Sequence, residues 1–259
     1  MIRDLTKSFD GKVLFDHVNY EFQQGKIYGL LGRNGAGKTT LFNCVAKNIQ
    51  IDSGKILLST NSNERDYDNT EIGFTYTQPQ LPAFMTAFEF VRFFMDINKH
   101  RIKDHKTPQE HLDQVGIARE DQHRLLKDFS HGMQNKVQML VSLMVLPPVM
   151  LLDEPLTSFD VVAAHEIKQL IREAKKDSVV IFSTHILQLA QDLCDEIVLL
   201  HNQKLTGIDP ARIHDKDFED EVVQLLSTQE EQVISQTIIS HGALTEESVP
   251  SQKHREEAE

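Results

Sequence analysis

Gly32, Gly37, Lys38 and Thr39 stand on the spacing G-x-x-x-x-G-K-[ST], within the stretch Leu31-Gly32-Arg33-Asn34-Gly35-Ala36-Gly37-Lys38-Thr39-Thr40. The chemistry of that pattern is phosphate binding. Glycines at 32, 35 and 37 let the backbone take positive φ and turn successive N–H groups onto phosphate oxygens. Lys38 then reaches the β- and γ-phosphates, and the Thr39 hydroxyl is placed for Mg2+. An apolar run ahead of the loop (Ile27, Tyr28, Leu30, Leu31) reads as a buried strand, and a helix from Lys38 to about Lys47 points its positive end at the same phosphates. Strand, loop and helix in that order describe a nucleoside triphosphate site, against the plainer reading of a glycine-rich turn with a chance lysine.

A second group of reactive side chains lies far downstream. Val149-Met150-Leu151-Leu152 reads as a strand buried on both faces, and it ends in Asp153-Glu154. Two carboxylates there are costly unless they face a cation or a polar cleft, so Asp153 is expected to meet Mg2+ and Glu154 to polarise a water. Another buried strand, Ser178–Ser183, delivers Thr184-His185 to the same sheet edge, where ligands of such sheets collect. Between these groups, Ser130 reads as the N-cap of a helix whose Gly132 and Met133 N–H groups are free to hold an anion. Phe9 precedes the loop and suits either adenine stacking or the core. Gln78 ends a strand over Glu71–Thr77.

The elements that position these groups are legible in outline. Ile2–Phe9 and Val13–Phe22 alternate as strands about an Asp10-Gly11 turn, Ser53-Gly54 turns into Lys55–Ser59, and Asn61–Asn69 is a polar surface loop. Thr86 to about Leu146 is mainly helical, with a basic loop at Asn98–Lys106 and Pro108 in a first helical turn. Phe84, Phe88, Phe90, Phe93 and Phe94 crowd its start, either as core or as a groove for another protein's helix.

The 259 residues suffice for a full core, and 40% hydrophobic with 25% charged residues is ordinary for a globular protein. Asp215–Glu259 holds twelve acidic residues against three basic ones, which is −9 of the net −12, so sequence-independent nucleic-acid binding is not expected. No run approaches the ~18 apolar residues needed to span a bilayer, and the Met1-Ile2-Arg3-Asp4 start has no signal-peptide h-region. The expectation is a chain of the cytoplasmic face whose membrane role comes through a partner. Cys44 and Cys194 read as reduced, packed thiols.

From about Ile2 to Ile208 the chain resembles the ATP-binding cassette ATPases, on six motifs in order: Phe9, Gly32–Thr39, Gln78, Phe129–Met133, Val149–Glu154 and His185. The resemblance implies an α/β P-loop NTPase core, RecA-like, with an antiparallel β subdomain and an inserted α-helical subdomain over about 84–147. It implies ATP and Mg2+ as ligands. Gln78 senses Mg2+, Asp160 lies in a loop (Thr157-Ser158-Phe159-Asp160) that crosses to a second subunit, and Ser130, Gly132 and Met133 close over the nucleotide of that subunit. Partners implied are a homodimer or related ATPase subunit and an integral membrane permease docking near Phe84–Phe94. Two departures stand out: His131 occupies the first glycine place of Leu-Ser-Gly-Gly-Gln, and Leu156 replaces a common threonine. The single cassette and the methionine at 133 are similar to ABC-2-type exporter ATPases. A soluble cassette ATPase acting on DNA or ribosomes is the alternative. Past residue 210, a helical extension over 211–244 and a disordered acidic tail over 245–259 are expected.

Overall fold

The computed structural model describes residues 1–60, 63–156, 159–213, 215 and 217–226. Thr157, Ser158 and most of the expected 211–259 extension and tail lie outside these. The chain divides into a unit Met1–Phe218 and a unit Glu219–Glu259; of the latter, only 219–226 is described, as helix.

In the first unit the element order is β1 (Ile2–Phe9), β2 (Lys12–Tyr20), β3 (Ile27–Leu31), α1 (Lys38–Val45), β4 (Ser53–Ile56), β5 (Leu58–Thr60), β6 (Asn63–Arg65), β7 (Ile72–Thr75), α2 (Ala87–Ile97), α3 (Pro108–Gln114), α4 (His131–Val145), β8 (Val149–Asp153), α5 (Val161–Ala174), β9 (Val179–Thr184), α6 (Leu187–Leu193), β10 (Glu196–His201) and β11 (Lys204–Ile208). The central sheet runs β11-β10-β3-β9-β8-β7, all neighbours parallel except the β10–β11 hairpin. A separate antiparallel sheet, β2-β1-β4, joins the chain's start to the segment after α1.

Strand alternation divides the apolar side chains between two cores. Tyr28, Leu30, Leu151 and Ile181 face the side of α1 and the antiparallel sheet, while Ile27, Met150, Leu152, Val180 and Phe182 face the side of the helical insert and α5. Both β3 and β8 are buried at every position, as expected of central parallel strands covered on both faces. Their carboxyl ends, which carry the phosphate loop and Asp153, are thereby fixed on one sheet edge.

Helices α2, α3 and α4 all fall between β7 and β8, so the helical stretch expected over about 84–147 is an insert of three helices. Thr86 with Glu89 and Thr107 with Glu110 form capping boxes, and Pro108 opens α3. Two local expectations fail. Gly54 lies within β4 instead of a turn: its φ is 90°, and a Cβ there would clash with the Asp4 carbonyl oxygen, so glycine serves close approach to β1 where the register shifts. Asn63–Arg65 is a short strand paired with β5, where the polar composition had suggested loop. Its register rests on main-chain pairing, and Arg65 adds an ion pair to Glu71, so no apolar alternation marks it.

Candidate functional site

The turn into α1 depends on Gly37, whose φ of 108° is closed to side chains and whose missing Cβ makes room for Leu14. Gly37 is also the N-cap and supplies no side-chain acceptor, so the first N–H groups of α1 keep no capping partner of that kind. Lys38 is buried, its Nζ donating to Gly32 O (2.7 Å) and Arg33 O (3.3 Å). Burial pushes its ammonium below the usual lysine range, opposed by the charges of Glu154 and Asp153. A cation and an uncapped helix start thus face the same loop, which is how a protein receives an anion.

Across the loop, the Thr39 hydroxyl donates to Asp153 Oδ2 at 2.7 Å, although 114 residues separate the two. Asp153 is 4% exposed, and its other oxygen accepts from Ser183 Oγ at 2.5 Å. Ser183 Oγ in turn accepts from the N–H of Glu154 (3.1 Å), which holds that residue at a φ of 51°, an uncommon value for a non-glycine. Glu154 Oε1 lies 2.9 Å from His185 Nδ1, and because a carboxylate only accepts, that nitrogen carries the proton. The two residues expected to serve water and phosphate therefore hold each other.

Asn34, Gly35, Gly37, Lys38, Thr39 and Thr40 share a cleft of about 300 Å3 with Asp153 and Glu154. Leu14 and Thr77 also line it, neither singled out from sequence. Ser183 carries no local mark of its own in the sequence; parallel register alone sets it opposite Asp153. Gln78 follows directly on Thr77 with its side chain exposed. Phe9 is 45% exposed at the end of β1, with Lys7 Nζ 4.7 Å from its ring centre, so it is not a core residue. Larger cavities of about 490 and 630 Å3 lie beside the antiparallel sheet, and neither is lined by the phosphate loop, Asp153, Glu154 or His185.

The Ser130 turn is built differently. Ser130 caps α4, its Oγ accepting from the N–H of Met133 at 3.2 Å, so that N–H is satisfied within the chain and not free as its spacing suggested. Phe129 anchors the turn in the core while Ser130 and His131 are exposed, and the 129–133 turn does not line the phosphate-loop cleft. Asp160 caps α5 by accepting from Ala163 N at 2.9 Å, a bond that holds its carboxyl below the usual range.

Oxygen donors on Thr39 and Asp153, with no cluster of three or more His, Cys, Asp or Glu among the described residues, suit a hard cation held by one carboxylate, a hydroxyl and substrate phosphates.

Residues 15–157 match the family described as ABC transporter. The chain is 32% identical over 211 residues to an uncharacterized ABC transporter ATP-binding protein, YxlF, of Bacillus subtilis, covering 79% of this chain and 68% of that protein. It is 35% identical over 211 residues to the bacitracin transport ATP-binding protein BcrA of Bacillus licheniformis, covering 78% and 66%. In fold it is similar to the dimeric ATP-binding cassette MJ0796 in a post-hydrolysis state with ADP and Pi, at TM-score 0.66 and 21% identity over 81% of this chain and 97% of that one. With the phosphate loop, Asp153, Glu154 and His185 drawn to one sheet edge and this likeness in sequence and fold, the chain belongs to the ABC transporter family as its ATP-binding, ATP-hydrolysing component.

Proposed function

We propose that two copies, or one copy and a related ATPase subunit, close head to tail around two ATP molecules and so drive export by a separate membrane permease. The observation that carries this reading is the position of the Ser130 turn: exposed, and not a wall of its own chain's cleft. Ser130 and Gly132 then serve the nucleotide of the opposite copy, with Met133 beside them and Asp160 near the crossing.

In each cleft the N–H groups of residues 35–40 and Lys38 take the phosphates, Lys38 exchanging its bonds to Gly32 O and Arg33 O for phosphate oxygens. Thr39 and Asp153 would hold Mg2+, with Gln78 nearby; when bound, the ion neutralises charge between the β- and γ-phosphates. Glu154 orients the attacking water, and His185 fixes the Glu154 carboxylate and turns to the γ-phosphate. Phe9, exposed and backed by Lys7, offers its ring to the adenine. Closing and opening follow from the different affinity of the two states for ATP and for its products.

Among the described residues no helix is long and apolar enough to cross a membrane; in this proposal the permease holds the chain at the cytoplasmic face. Around α2, Ala87 and Val91 are buried while Phe84, Phe93 and Ile97 are 81%, 52% and 54% exposed, a surface suited to a helix of that permease. The bacitracin relative favours a peptide or drug-like cargo. The test is Glu154→Gln with ATP and Mg2+. An ATP-dependent dimer on size exclusion, with turnover reduced on the order of 10²-fold or more, is expected; a variant that stays monomeric and hydrolyses at the parent rate removes both Glu154 and the dimer from the account.

A further inference from the structure

Eight residues along α4 from its Ser130 cap, Gln138 is 6% exposed and reaches the turn that leaves β7. Its Nε2 donates to Tyr76 O at 2.8 Å, and its Oε1 accepts from the N–H of Gln80 at 3.0 Å. One helical turn on, Ser142 Oγ donates to Gln138 O (3.0 Å), and the Thr75 hydroxyl lies 2.9 Å from Ser142 Oγ. A single amide thus spans the 76–80 turn, whose middle holds Thr77 in the cleft wall and Gln78 beside it. Burying an amide is costly unless both its ends are paired, and here both are paired to main chain, so the contact fixes backbone and not merely side chains.

We propose that Gln138 is a positioning residue that makes the cleft-lining 76–80 turn and the helix carrying Ser130 move as one body. Occupancy of a copy's own cleft is then passed through Thr77, the Tyr76 and Gln80 main chain and Gln138 to the orientation of the Ser130 turn. This rests on the reading that the Ser130 turn meets the nucleotide of a second copy. The apolar positions of α4 pack the insert onto the core but have no directional hold on the turn; Gln138 donates at one end of it and accepts at the other.

Two substitutions at the position separate this role from packing. Gln138→Met keeps length and volume and removes both hydrogen bonds. Gln138→Glu keeps the acceptor, and its carboxyl can replace the donor only while protonated, a state that burial favours. Affinity for a fluorescent ATP analogue and steady-state kcat are read for both variants and the parent, each as a ratio to the parent at the same pH. The expectation for Gln138→Met is affinity within about twofold and kcat lowered roughly tenfold. Gln138→Glu should resemble it at about pH 8 and recover toward the parent near pH 6. A Gln138→Met variant with parent kcat, a Gln138→Glu ratio flat across pH, or affinity falling in step with kcat overturns the proposal. If Gln138→Met does not fold, the pH dependence of Gln138→Glu decides alone. Failure of the dimer reading is separate: Glu154→Gln would then show no ATP-dependent dimer, whereas failure of this proposal alone leaves that dimer intact with Gln138→Met at the parent kcat.

Discussion

Two helices of this chain start at motifs to which the proposed function assigns phosphate contacts, and their first turns are built in opposite ways. At α1 the cap is Gly37 in a left-handed conformation, no side chain serves the first N–H groups, and a buried Lys38 lies alongside. At α4 the cap is Ser130, which already serves Met133 N, on an exposed turn beside His131. The first arrangement is an anion site left open by the fold itself. The second is a helix start that is stable without an anion and can exchange its own hydrogen bond for one from outside. On the proposed reading, such a chain binds its nucleotide with α1 and lends α4 to a neighbour.

The largest effect that could break this contrast is at α1. Lys38→Ala should reduce ATP affinity and turnover on the order of 10²-fold or more, since it removes the cation at a buried, preorganised loop. Equilibrium binding of a fluorescent ATP analogue reads it directly, and retained tight binding would detach the phosphates from this loop.

Ser130→Ala sharpens the contrast from the other side. Loss of the cap should cost about 1 kcal/mol of stability, read as a lower denaturation midpoint. Turnover should fall roughly tenfold, while ATP affinity of the isolated chain stays within about twofold of the parent. Equal damage to affinity would place Ser130 in its own chain's cleft.

The smallest effect lies at the edge of the α1 site, where Asp52 accepts from Lys7 Nζ (2.9 Å), Ser8 Oγ and Ser8 N (each 2.7 Å), holding the cation that backs Phe9. The hydrogen bond from the Ser8 hydroxyl, then those of Lys7 and the Ser8 N–H, lower the Asp52 carboxyl from 3.8 to about 2. A lowered folded-state value stabilises the protein above the unfolded value, and that contribution is lost as pH falls from 3.8 to about 2. Asp52→Asn should therefore lower Tm by about 1–2 °C at neutral pH, solvent screening keeping the effect small. The difference should close as the pH nears about 2, and a difference unchanged over that range would assign the effect to something other than ionisation.

The part of the site set by short-range rules was legible in the sequence. Glycine spacing before Lys38 fixed the α1 turn, unbroken apolar runs marked β3 and β8, and Ser130 followed by a helical period announced its cap. Long-range pairing was not legible. Ser183 matters because parallel register sets Asp153 opposite it, which no local pattern around residue 183 encodes. Thr77 and Leu14 enter the cleft from loops and strands remote in sequence from the phosphate loop, and Gln138 looked like any polar position on a helix. The sequence brings Glu154 and His185 to one sheet edge, but the bond between them follows from the adjacency of β8 and β9, which no local pattern encodes.

The central claim is that a complete site takes α1 from one chain and α4 from another. Mixing Lys38→Ala chains with Ser130→Ala chains, each impaired alone, tests it most directly. A mixed dimer then contains one site with Lys38 and Ser130 both intact, so ATP turnover of the mixture should rise well above the sum of the two separate preparations. Turnover equal to that sum at every mixing ratio, with mixed dimers demonstrably formed, would place both groups in one chain's site and contradict the account.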